Sequence, residues 1–110
     1  MTVERSATDV LDAHRTAVAA GLRSALAQRP YTGTSEDPES GRFQTTVKTG
    51  SRWLDPLTLG TDLEVWLNDL GDKTQVTVRT RSQSLVAGDV FGMYDRYIQR
   101  LLADLRARVS

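Results

Sequence analysis

Of the side chains that do acid–base, nucleophilic or metal chemistry, this sequence holds one histidine, His14, and no cysteine. A general base needs a partner carboxylate and a cleft, and a transition-metal site needs more donors than one imidazole supplies. His14 falls beside Leu11 and Val18 at helical spacing, so it reads as a boundary histidine packing its ring edge. Glu36, Asp37 and Glu39 are close enough in sequence to suggest calcium. Their spacing, however, lacks the alternating oxygen ligands and central glycine of an EF-hand loop, and they read as solvated charge. Ser35, Ser51, Ser82 and Ser84 stand in no nucleophile elbow, and no phosphate-cradling glycine motif occurs. The chain is expected to be non-enzymatic, with no metal and no cofactor.

The aromatic residues point instead to binding. Trp66 alternates with Asp62 and Glu64 rather than with Leu63, Val65 and Leu67, which places it on the polar face of a strand. There it is either an anchor for a partner or an indole covered by Thr77, Lys48 or an arginine stem. With Glu64, Thr77, Arg79 and Arg81 it defines a candidate contact surface for a protein partner or a second copy, a homodimer being expected. A second candidate site combines Trp53, Phe91, Tyr94 and Ile98 as the lining of a pocket for a small apolar ligand between the last helix and the sheet.

Several elements must position these residues. Thr61–Asn68 and Thr74–Gln83 alternate as strands, and Arg42–Thr49 does so with Phe43, Thr45 and Val47 on one face. Pairing Leu67 with Val76 sets Glu64 opposite Arg79 and Asp62 opposite Arg81, a charge match that slippage by two residues would lose. Leu70-Gly71-Asp72-Lys73 then forms the turn, with Gly71 free to take positive φ. Residues 6–28 read as a first helix capped by Ser6, and residues from about Asp89 to Arg108 as a last one. Tyr31–Ser40 reads as a flexible loop, and Gly50–Gly60 as a loop folded back on the core. The expected fold is α+β in the order α-β-β-β-α: one domain over 1–110, an antiparallel meander sheet with both helices packed on one face.

Four segments carry a resemblance: LGTDLEVWL (59–67), GDKTQVTVRTRSQS (71–84), GDVFG (88–92) and IQRLLADLRARV (98–109). Together they resemble small bacterial domains of unknown function, and the final hairpin and helix of the helix-grip superfamily. That resemblance implies a helix laid on a sheet with apolar ligands held between them.

Bulk properties narrow the remaining classes. The chain has 110 residues, with 14 basic residues against 14 acidic ones. It therefore lacks the broad positive field that carries non-specific nucleic-acid affinity, and no nucleic-acid partner is expected. Twelve of the cations are arginine; anion recognition is one explanation and a GC-rich bacterial genome the plainer one. No long apolar run is present, so no membrane partner is expected, and the lack of cysteine fits a cytoplasmic setting.

Overall fold

In a computed structural model the described residues are 2–28, 31–47, 61–83 and 93–109. They form β1 (Thr2–Leu11), α1 (Arg15–Leu26), β2 (Tyr31–Asp37), β3 (Arg42–Val47), β4 (Thr61–Asp69), β5 (Thr74–Gln83) and α2 (Met93–Val109). One antiparallel sheet runs in the order β1-β5-β4-β3-β2, and both helices cover the same face. The expected series α-β-β-β-α is present as α1-β3-β4-β5-α2. The structure adds a strand at each edge.

The β4–β5 register is the one that charge predicts. Leu67 stands opposite Val76, Glu64 opposite Arg79 and Asp62 opposite Arg81. At the turn the Leu70 N–H donates to the Lys73 carbonyl at 2.9 Å, and Gly71 takes φ +97. The inner face alternates as expected: Phe43, Val47, Leu63, Val65, Leu67, Val76 and Val78 are all buried. Against them lie Val18, Leu22 and Leu26 of α1 and Ile98, Leu101 and Leu105 of α2, in one apolar cluster. Each such side chain contributes roughly 1.5–3 kcal/mol by leaving water.

Two expectations need correction, both at the edges. Ser6–Leu11 belongs to β1, not to the first helix, and pairs with β5 from Ser6↔Arg79 to Leu11↔Thr74. The helix begins after His14, so Ser6 caps nothing. Asp9 points inward from the edge strand and accepts the Arg106 Nε–H of α2 at 2.6 Å. An inward charge of this kind discourages a bare strand edge from pairing with another chain.

Tyr31–Ser40 is not a free loop over its length, because Tyr31–Asp37 is the opposite edge strand, paired to β3. A bulge between Thr32 and Ser35 interrupts it, with Gly33 at φ +64. Because β2 is exposed along most of its length, no apolar alternation announces it. Gly50–Gly60 and the cap at Asp89 lie outside the described residues.

Candidate functional site

The outer sheet face carries Trp66 and its neighbours in cross-strand rows. Arg42, Trp66, Thr77 and Thr8 form one row, and Gln44, Glu64, Arg79 and Ser6 the next. Trp66 does point away from the core, and two arginines bracket its ring: the guanidinium carbons of Arg42 and Arg79 lie 5.8 and 5.0 Å from the ring centroid. Both cations share one carboxylate. Arg42 Nη2 donates to Glu64 Oε2 at 3.0 Å, and Arg79 Nη2 lies 3.5 Å from the same oxygen. Glu64, Trp66, Thr77 and Arg79 are therefore brought together, and the indole is half-buried. Arg81 stands apart and exposed, paired to Glu4 at 3.4 Å. Sequence reasoning placed the arginine cover among its alternatives but missed Arg42, whose strand partner is identified only by the β3–β4 register.

The inner face near the start of α2 holds the rest. Tyr94 and Ile98 are fully buried. Trp53 and Phe91, their expected companions, lie outside the described residues. The C-terminal end of α2 is fixed at the end of β1 by Arg106 and Asp9. Tyr94 is 12 residues earlier in α2, or ~18 Å along the helix axis. Along the strands the inner surface becomes more polar away from Leu67 and Val76. Leu67↔Val76 and Val65↔Val78 give way to Leu63↔Thr80, with Thr45 across from Leu63 and Thr61 across from Val47. Thr45, Thr61 and Thr80 are all buried. The Thr45 hydroxyl donates to the Thr32 carbonyl at 3.1 Å and lies 2.8 Å from the Thr34 hydroxyl. Tyr31 sits on the same flank; burial raises its phenol above the usual range, Asp104 adds to this and Arg100 opposes it.

His14 is not a packed boundary residue. It is exposed, and its Nδ1 accepts the Thr16 N–H at 3.2 Å as the cap of α1. Glu36 is not loose loop charge either. It accepts from Arg23 Nε at 2.6 Å and Nη2 at 2.8 Å, tying α1 to β2. Those hydrogen bonds hold the Glu36 carboxyl below its ordinary 4.5; burial pulls the other way and the Arg23 charge adds to the lowering.

The sign for stability follows from that lowering. A depressed folded value means the pair stabilises the protein above pH 4.5 and loses this as pH falls through the folded value. Glu36→Gln is therefore expected to flatten part of the acid limb in thermal melts from pH 7 to 3. The effect is small, since Arg23 is 55% exposed and salt screens it. Parallel acid limbs in the two proteins would show that the pair contributes nothing.

No group of three or more His, Cys, Asp or Glu able to hold a metal occurs among the described residues, nor does any helix long and apolar enough to cross a membrane.

No protein-family model and no curated protein matches the sequence. Solved structures do resemble the fold. One is the di-domain aromatase/cyclase BexL from the BE-7585A biosynthetic pathway, at 12% identity and TM-score 0.71; the match covers 96% of this chain and 46% of that one, about half its length. A START superfamily protein from Mycobacterium smegmatis matches at 12% identity and TM-score 0.60, with 96% of each chain covered. A norcoclaurine synthase point mutant from Thalictrum flavum, in complex with a transition-state analogue, matches at 10% identity and TM-score 0.56, covering 94% of this chain and 96% of that one. With one antiparallel sheet packed against a long C-terminal helix, and with these likenesses, the chain has a helix-grip-like α+β fold.

Proposed function

We propose that this chain is a binding domain for a small, mainly apolar ligand held between α2 and the inner face of the sheet. The observation that carries the reading is the full burial of Tyr94 and Ile98 on α2, together with the buried hydroxyls of Thr45, Thr61 and Thr80 on the inner face of the sheet. An apolar surface with a few fixed hydroxyls is the composition that holds and orients such ligands. The fold likeness supports the same reading, since neighbours include an aromatase/cyclase and a synthase bound to a transition-state analogue. Ligand holding without catalysis is the activity proposed, because the one histidine uses its Nδ1 to cap α1. The cytoplasm is the proposed compartment, in keeping with a chain that has no cysteine.

Docking of a protein or a second copy through the outer face has less support. Trp66 is half-buried between Arg42 and Arg79, which reduces the apolar surface it offers a partner.

Native mass spectrometry of gently purified protein, with titration by the neutral probe N-phenyl-1-naphthylamine, tests the proposal. A copurified small mass, or probe fluorescence that saturates and is lost in Ile98→Trp, is expected. A bare chain with no saturable fluorescence overturns it.

A further inference from the structure

β1 is 10 residues long and closes one edge of the sheet, paired along one side to β5. Along its other side no strand pairs with it among the described residues, so its outward N–H and C=O groups form a template for a further strand. The inward Asp9 opposes most candidates, because an apolar or acidic residue set opposite it leaves the carboxylate facing the wrong chemistry. A strand that brings a cation to that position is the exception. β1 is itself such a strand. Arg5, Ala7 and Asp9 alternate along its inner side, Arg5 exposed and the other two half-buried.

We propose that β1 is a homodimer interface, where a second copy of this chain pairs antiparallel and joins two five-stranded sheets into one. Keeping the helices of both copies on the same side requires the twofold axis to pass through a residue, since a shift by one turns a copy over. Centred on Ala7, Arg5 of each copy faces Asp9 of the other, and Ser6 faces Thr8 on the outer side. Centred on Arg5 or on Asp9, like charges meet. Centred on Ser6 or on Thr8, one of the charges faces Ala7. Only the Ala7 register matches both charges, and it does so twice. Asp9 already accepts from Arg106 of its own chain; a carboxylate has lone pairs enough for a second cation.

Sedimentation equilibrium over a wide concentration range reads the dimer, and Arg5→Glu tests the register. That substitution sets two like-charge pairs across the axis and is expected to raise the dimer dissociation constant about a hundredfold. Cysteine cross-linking reads the same geometry without changing a charge. The chain has no cysteine of its own, and the axis brings the two Ala7 positions within disulfide reach. Ala7→Cys should therefore link into a covalent dimer under mild oxidation, and Ser35→Cys, on the opposite edge, should not. Should Arg5→Glu loosen β1, the comparison of the two cysteine variants decides alone. A monomer at every concentration, a dimer indifferent to Arg5→Glu, or linking no faster from position 7 than from position 35 would each overturn the proposal.

Discussion

Gly41→Ala is expected to cost about 3 kcal/mol of stability, the sum of a left-handed backbone penalty and local overpacking. Gly41 sits at φ +69 where the β2–β3 turn meets β4. Its N–H donates to the Asp37 carbonyl at 3.0 Å, and its carbonyl accepts the Leu67 N–H at 2.9 Å. A Cβ there would lie 2.9 Å from the Leu67 carbonyl oxygen and 2.8 Å from Arg15 Nη2. The arginine tip can swing aside, but the strand carbonyl moves only if the Gly41–Leu67 hydrogen bond is strained. Urea denaturation of the two proteins measures the loss. A cost under about 1 kcal/mol would mean that the turn relaxes freely. Gly33→Ala is the control: its φ is +64, yet open space surrounds it, so only the backbone penalty of roughly 1 kcal/mol should appear.

Leu105→Ala is expected to be comparably costly, at roughly 3 kcal/mol, because it empties a fully buried position where α2 meets α1. The helices approach closely at Gly21. A Cβ built there lies 3.4 Å from Leu105 Cδ1 and 3.3 Å from Val109 Cγ1. That contact makes the two sites interdependent. Gly21→Ala alone sets a helix-propensity gain of up to about 1 kcal/mol against a tight contact. With Leu105→Ala the added methyl enters the space vacated, so the double variant should be more stable than the sum of the singles implies. Strict additivity in chemical denaturation would show that the helices move apart and that the cavity is not shared.

Much of the fold's interior was legible in the residues themselves. Strict alternation over β4 and β5, with opposite charges at matched positions, specifies both the buried face and the register. Slippage by one residue would send Leu63, Val65 and Leu67 into water. The helical spacing of Ile98, Leu101 and Leu105 likewise marks the face of α2 that meets the sheet. These signals are strong because burial on one side repeats at a fixed period.

The edges gave no such signal. Ser6–Leu11 mixes Ser, Ala, Thr and Asp with two apolar residues and reads equally well as the opening of a helix. Pairing along β5, more than sixty residues away, is what makes it a strand. Along Tyr31–Asp37 almost nothing is buried, so the pairing to β3 has no apolar trace. Correcting these two segments alters the chemistry as well as the topology. His14 becomes the cap of α1, Asp9 the partner of Arg106, and Glu36 the partner of Arg23.

By itself, then, the sequence determined the one-sided sheet, the β4–β5 register, the helix packed against it, and the outward direction of Trp66. All of these follow from local periodicity and from the free energy of burying one face. Tertiary structure alone decided which cations cover Trp66, where α1 begins, and that β1 forms an edge of the sheet. Arg42 and Trp66, or Arg15 and Pro38, are far apart along the chain, and only the strand order and the paths of the turns bring their side chains within reach.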